Sequence, residues 1–253
     1  DVYINDGFAV DHRNEATIVT VPKHLPSYGG LLLKNEVQAL SKIVDNPKKP
    51  VVAIIGGAKI STKIMLIEKL LHLADSVILG GALASTFLLA KGYEVGQSLV
   101  EKDMVGEAKK LLALAKDMQK DLLLPVDVTG TTENSNEVIA KKADAITPDF
   151  SVFDIGQETE KIFRTCIEEA NTIVWNGPVG LFEKKPFDNG TTAIFEAVIT
   201  NAHAFSVVGG GDTLAAIEHK NGKEKITHIS TGGGAMLDFV QNGTLPGLDA
   251  IRK

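Results

Sequence analysis

Seven short apolar runs punctuate the chain: VVAII (51–55), SVILG (76–80), DLLLPV (121–126), SVFDI (151–155), TIVW (172–175), FSVVG (205–209) and THIST (227–231). Most are continuous rather than alternating in polarity, and segments with helical spacing lie between most of them. In one such segment Val105, Ala108, Leu111, Leu112, Ala115 and Met118 fall at three- and four-residue steps, which predicts one helix face. Strands that are apolar on both faces and separated by helices belong to a parallel sheet covered on both sides. The expected fold class is therefore α/β, with a doubly wound parallel sheet.

The first 50 residues read differently. Leu33, Val37, Leu40 and Val44 predict a helix that starts after Pro26-Ser27-Tyr28-Gly29-Gly30 and ends before Pro47. Upstream, DVYINDGFAV offers one strand and no partner, and a lone strand leaves its backbone groups unsatisfied. That start reads as a piece of another sheet. The expected organisation is a remnant strand and loop over 1–24, a connecting helix over 25–47, a Rossmann-like α/β domain over 48–240, and a tail over 241–253.

Glycine clusters follow the strands: Gly56-Gly57, Gly80-Gly81, Gly177-Pro178-Val179-Gly180, Gly209-Gly210-Gly211 and Gly232-Gly233-Gly234. In a right-handed parallel sheet all strand C-termini open on one side, so these clusters are expected to line one crevice. Glycine permits close backbone approach, and a following helix N-terminus offers free N–H groups to a phosphate. No cluster spells the phosphate-loop or dinucleotide fingerprint, so another device must hold the anion. Lys59 and Lys63 are four apart and are expected to share a helix face just past Gly57. Asp212 invites a magnesium ion between its carboxylate and a phosphate, and Thr213 is placed to cap a helix or donate to phosphate. Glu183, beyond the 177–180 turn, is placed to accept from ribose hydroxyls.

Composition narrows the partners. A net charge of −6 and a pI near 5.6 argue against a nucleic-acid binder. The longest uncharged stretch, between Asp75 and Lys91, is shorter than the ~18 residues of a membrane span. DVYINDGFAV has no signal-peptide character. One cysteine, Cys166, excludes an internal disulfide and fits a reducing, cytoplasmic compartment. The six histidines show no metal-ligand spacing.

GGAKISTK, ILGGALASTFL, LLLPVDV, VWNGPVGLFE, VVGGGDT and HISTGGGAMLDF stand in an order that resembles the phosphoglycerate kinase family, and DVYINDGFAVDHR looks like the end of that family's N-terminal domain. The resemblance covers essentially the whole chain, but only the C-terminal part of a two-domain enzyme. It implies reversible transfer of a phosphoryl group between ATP and the carboxylate of 3-phosphoglycerate, with Mg2+, by a cytoplasmic monomer. By resemblance, Lys59 and Lys63 match lysines on the nucleotide phosphates and the transferring group. Asp212 matches the magnesium-linked acid, and Thr213 the residue at the phosphate-binding helix start. Gly57, Ala58, Gly81, Gly156, Asn176, Pro178, Gly180, Leu181, Glu183 and Gly211 match the nucleotide pocket. Gly232, Gly233 and Gly234 match the loop that meets the transferred phosphoryl. Arg13 corresponds to an arginine on the phosphoglycerate side, and the rest of the site for 3-phosphoglycerate or 1,3-bisphosphoglycerate belongs to the missing domain.

Thr62 stands where the family usually has aspartate, Glu15 where it commonly has histidine, and Gln157 where it usually has proline; Ala82 and Ser85 also differ and bear on the shape of the base pocket. The expected behaviour is nucleotide binding with negligible turnover by this chain alone. A non-catalytic adenine-nucleotide-binding module is the competing reading.

Overall fold

A computed structural model describes residues 1–252. The chain opens with β1 (Tyr3–Asn5), passes through short helical turns over residues 8–23, and continues into β2 (Ser27–Gly29) and α1 (Leu31–Val44). There follow β3 (Val51–Ile55), α2 (Ile64–Leu73), β4 (Ser76–Leu79), α3 (Ala82–Ala90), α4 (Val105–Asp117) and β5 (Asp121–Leu123). Next come β6 (Asp127–Thr132), β7 (Ser135–Lys142), β8 (Phe150–Ile155), α5 (Gln157–Glu168) and β9 (Thr172–Asn176). The chain closes with α6 (Asn189–Thr200), β10 (Phe205–Gly209), α7 (Gly211–Ile217), β11 (His228–Ile229), α8 (Gly233–Asn242) and α9 (Pro246–Ile251).

Six strands form one sheet in the order β11-β10-β9-β3-β4-β5, and every neighbouring pair is parallel. Both faces are covered, as continuous apolar runs require. Val51, Ala53 and Ile55 of β3 join Leu66, Leu70, Ala108, Met236 and Phe239 in one core layer. Val52 and Ile54 point the other way, into a layer with Phe163, Ile167, Ile194 and Val198. The doubly wound expectation is met, with Trp175 and its neighbours on β9 wholly buried at the centre.

Two expectations need correction. SVFDI is not in the large sheet: β8 pairs antiparallel with β6 in a three-stranded sheet of order β7-β6-β8. Its partner strand DVTGTT carries no apolar period, and at Gly130 a Cβ would stand 1.8 Å from the Ser151 carbonyl oxygen, so contact here is made by bare backbone. The N-terminal strand is not alone either. Tyr3, Ile4 and Asn5 pair in parallel with Ser27, Tyr28 and Gly29, a stretch too short to show a two-residue period.

The start and end of the chain are drawn together. The Gly247 amide of α9 donates to the Asp11 carbonyl (2.9 Å), and Asn5 Nδ2 donates to the buried Asp11 carboxylate (2.7 Å). A second tie governs the last strand. Glu36 of α1, 1% exposed, accepts from the Thr231 amide (2.6 Å) and the Thr231 hydroxyl (2.7 Å), and its Oε2 lies 2.8 Å from His228 Nε2. Burial pushes this carboxyl up, but the hydrogen bonds from His228 and Thr231 outweigh it and hold the group below its ordinary value. The segment so clamped runs straight into Gly232–Gly234.

Replacing Glu36 with alanine removes the acceptor shared by the partly buried His228 ring and the exposed Thr231 and is expected to cost about 1–3 kcal/mol, measured by denaturant unfolding. Because the native carboxyl is held below 4.5, its contribution is complete above that pH and fades as acid protonates the folded state. The gap between wild type and Glu36→Ala should therefore narrow as pH falls from 4.5, and a constant gap would contradict the clamp.

Candidate functional site

Strand order reverses direction in sequence between β3 and β9: β3, β4 and β5 step one way from the centre, β9, β10 and β11 the other. Crossovers leaving this point diverge, so a crevice opens beyond the strand C-termini. Three loops close its floor. The Gly56 amide donates to the Asn176 carbonyl (2.9 Å), Gly57 to Pro178 (2.9 Å), Gly81 to Val179 (2.8 Å) and Leu83 to Gly57 (3.0 Å). A Cβ on Gly56 would stand 2.0 Å from the Pro178 carbonyl oxygen, and one on Gly80 2.5 Å from Val179. These glycines let loops of neighbouring strands touch, and the amides of Gly57 and Gly81 are spent on the protein's own carbonyls. The expectation that they present bare amides to an anion is corrected accordingly.

The paired lysines also differ from expectation. They do not share a helix face, because α2 starts only at Ile64, with Lys63 as its cap residue and a turn over 60–63 before it. Thr62 braces that turn by donating to the Lys59 carbonyl (3.2 Å). Lys59 is exposed, on the side of Glu101, which accepts from the Ser61 hydroxyl (2.5 Å). Lys63 turns inward. Its ammonium donates to the Gly56 carbonyl (2.7 Å) and to Asn176 Oδ1 (2.8 Å), bridging the ends of β3 and β9. Burial drags its pKa down from 10.5 to about 8, with Asp212 acting in the opposite direction.

Asn176, 4% exposed, donates onward from Nδ2 to the Gly209 carbonyl (3.0 Å) and so passes the link from Lys63 to β10. Thr213 is fully buried and does not cap α7. Its hydroxyl accepts from the Gly177 amide (2.6 Å) and donates to the Gly209 carbonyl (2.9 Å), leaving nothing to offer a phosphate. Gly210, at φ 103°, turns the chain into α7 and leaves Gly211 and Asp212 exposed at the helix start. The start of α8 stands beside it: a Cβ on Gly233 would lie 3.4 Å from Gly210 Cα. Two helix starts, each with amides that lack intrahelical partners, thus converge on one rim. His12 covers Gly234 and Phe8 packs on Gly232.

Beside this rim lies a cavity of about 250 Å³, bounded by the three floor loops, the first turns of α3, residues 97–99 and β8. Gly57, Ala58, Gly81, Pro178, Gly180, Leu181, Glu183 and Asp212 of the expected set line it, and so do Ala82 and Ser85. Lys59, Lys63, Asn176, Gly211 and Thr213 are not in its wall, nor are Gly232, Gly233 and Gly234. Gly156 is absent too: it packs on Asp127, whose carboxylate accepts from the Glu158 and Thr159 amides and occupies the start of α5. Arg13 lies on the exposed N-terminal segment in an ion pair with Glu15 (3.3 Å).

Sequence reading missed the opposite wall, made by Ser98, Leu99, Val128 and residues 151–155. The hairpin that carries this wall gave no two-residue period: NEVIAKK, after DVTGTT, groups its apolar residues instead of alternating them. Within it Asp154, 3% exposed, accepts from the Gly190 amide (2.8 Å) and from its neighbour Ile155 (2.9 Å). Burial, aided by Glu160 and Asp188, pushes its carboxyl up to about 7 despite those two donors. No group of three or more histidine, cysteine or acidic side chains among the described residues could hold a metal. A lone exposed Asp212 suits magnesium, which keeps several waters and shares its shell with substrate phosphates.

A family model described as phosphoglycerate kinase matches residues 1–243. The chain is 44% identical over 256 residues to a phosphoglycerate kinase of Francisella tularensis, which it matches along 100% of its own length and 65% of the relative's. It is likewise 44% identical to one of Finegoldia magna, covering 64% of that protein. Among solved structures it superposes on phosphoglycerate kinase from Coxiella burnetii with a TM-score of 0.94 at 41% identity, covering 99% of this chain and 65% of that one. For the Pyrococcus horikoshii enzyme the TM-score is 0.86 at 32% identity, covering 100% and 64%. The chain thus spans about 65% of the length of the curated relatives it matches.

Two outcomes follow from the geometry. A lysine whose native pKa is depressed penalises the fold while it must carry a proton, so unfolding free energy should rise as pH climbs from about 8 toward 10.5. In Lys63→Met that rise should be lost, as read by denaturant titration at several pH values. At Gly180 a Cβ would stand 2.1 Å from Asp154 Oδ1 and 2.4 Å from the Phe187 carbonyl oxygen. Gly180→Ala should therefore cost about 1–3 kcal/mol or more, and unchanged stability would show that this turn can open.

Proposed function

The chain belongs to the phosphoglycerate kinase family, and on that premise we propose that it is the nucleotide-binding part of an enzyme moving a phosphoryl group between ATP and the carboxylate of 3-phosphoglycerate. The observation that carries the reading is the convergence of the α7 and α8 starts on the rim of the 250 Å³ cavity, with Asp212 in its wall. The base and ribose of ADP or ATP occupy the cavity, with Glu183 accepting from the ribose hydroxyls. The phosphates then run toward Gly211 and Asp212. Asp212 is the residue that would hold a magnesium ion carried by the nucleotide, and such an ion would supply charge neutralisation on the phosphates.

Phosphoryl transfer asks the protein for position and charge rather than covalent chemistry. Lys59, on its exposed turn, is free to swing onto the transferring group. Lys63 starts from a buried position in which a proton is costly, and an anion arriving at the rim favours its charged form. The amides of Gly233 and Gly234 at the start of α8 meet the phosphoryl in flight, whereas the buried Gly232 amide donates to the Ser230 hydroxyl (3.3 Å) and shapes the loop instead. Gly156, Asn176 and Thr213 act at one remove, holding the loops that shape the pocket. The phosphoglycerate side rests on residues outside this chain, with Arg13 as its one representative here. As a monomer in the cytoplasm the chain alone binds nucleotide and turns over negligibly. Division into a remnant over 1–24, a connecting helix over 25–47, the nucleotide domain over 48–240 and a returning tail over 241–253 belongs to the same reading.

The Arg13–Glu15 ion pair and the threonine at position 62 favour a second reading, a non-catalytic adenine-nucleotide module. Calorimetric titration of residues 1–253 with ADP, with and without magnesium, is expected to show one site whose affinity depends on the metal. Asp212→Ala should reduce the magnesium-dependent affinity roughly ten- to a hundredfold, the worth of one charge-assisted contact. No binding by the wild-type chain would end both readings. Turnover on the order of 10 s⁻¹ by this chain would contradict the need for the missing part. Turnover that stays absent when the complete reading frame is expressed would favour the module.

A further inference from the structure

We propose that Asp154 is a positioning residue for the nucleotide cavity, a buried carboxyl that holds the 180–183 wall against the start of α6 and makes nucleotide affinity fall as pH rises through neutrality. The inference rests on the nucleotide reading above. Asp154 lines the cavity from β8 and is 3% exposed. Its Oδ2 accepts from the Gly190 amide in the first turn of α6, and its Oδ1 lies where a Cβ on Gly180 or Gly190 would come within 2.1 or 2.3 Å. Two glycines are thus shaped around one carboxyl. The same wall is pinned alongside it by the Leu181 amide, which donates to the Phe153 carbonyl (2.7 Å), and by the Phe153 and Phe187 rings, 5.0 Å apart.

The charges around Asp154 are mostly of its own sign. Glu160 faces it from α5 and Asp188 from the start of α6. Lys185 is engaged with the other oxygen of Asp188, whose Oδ1 is buried without a partner. Lys184 lies over the Phe153 and Phe187 rings at 5.5 and 5.7 Å. From β6, Thr129 pairs with Asp154 and brings no charge. Burial, reinforced by these like charges, pushes the carboxyl up to about 7. A nucleotide seated in the cavity removes the remaining water from this wall and brings further negative charge, and both effects favour the protonated carboxyl. By linkage the nucleotide then binds more tightly where the carboxyl is already protonated.

Dissociation constants for ADP and for adenosine, measured calorimetrically at pH 6, 7 and 8, test this. The titrations of the ADP phosphate and of Lys63 are common to all variants and cancel in the ratio to wild type. Wild-type affinity for adenosine, and the ratio of wild-type to Asp154→Asn affinity for ADP, should fall by roughly three- to tenfold between pH 6 and 8, tenfold for each pKa unit by which binding raises the carboxyl. Asp154→Asn should lose that dependence, and Asp188→Asn, which removes a like charge, should move the midpoint to lower pH. If Asp154→Asn does not fold, the Asp188→Asn midpoint and the carboxyl carbon shift of labelled Asp154 with and without adenosine decide. Binding with the same pH profile in every variant, or an Asp154 carbon that adenosine leaves unmoved, would overturn this inference alone. Absence of binding by wild type at every pH would overturn the nucleotide reading and this inference with it.

Discussion

The meeting of β3 and β9 at the centre of the sheet is the constraint on which the remainder depends. Adjacent parallel strands whose crossovers depart in opposite directions cannot both be roofed by helices at their C-terminal ends. The open space must be floored by the loops themselves. Here the floor consists of backbone hydrogen bonds between loops 56–57, 80–81 and 177–180, with the Lys63 ammonium set between the Gly56 carbonyl and Asn176. A side chain on most of these glycines would separate the loops. The floor therefore exists only as a cooperative set.

Glycines in this chain serve two different ends. Those at 56, 80, 177 and 180 permit contact between protein segments, and their amides or neighbouring carbonyls are paired internally. Gly211 and Gly233 instead stand at helix starts that face one another with open amides. The second group is placed by parts of the chain that are remote in sequence. Glu36, on α1, fixes Thr231 and His228 across 195 and 192 residues and so sets where the triglycine begins. The first long helix is thereby tied by hydrogen bonds to the segment that leads into the start of α8.

Much of this was legible. Continuous apolar runs predict a doubly wound parallel sheet because both faces of such strands must be covered, and six of the seven runs lie in it. The helix over 31–44 follows from the spacing of Leu33, Val37, Leu40 and Val44. SVFDI was assigned to the wrong sheet because an apolar run states that a strand is buried and not what it pairs with. The β6–β7 hairpin left almost no trace, since Gly130 and the threonines around it make a strand by backbone contact with Ser151 rather than by packing. Lys59 and Lys63 have helical spacing but no shared helix, because the turn over 60–63 is held by Thr62 and by Glu101 from another loop.

By itself the sequence determined the class of fold and the side of the sheet on which most of the glycine clusters gather. Those features follow from periodicity and from glycine placement, which are local properties. Only the tertiary structure decided which amides remain open, which lysine is buried, and that the hydroxyl of Thr213 and the carboxyl of Asp154 serve the walls of the cavity. Each of those outcomes depends on a partner brought from a distant segment, and hydrogen-bond satisfaction is a property of the assembled neighbourhood rather than of any stretch of chain.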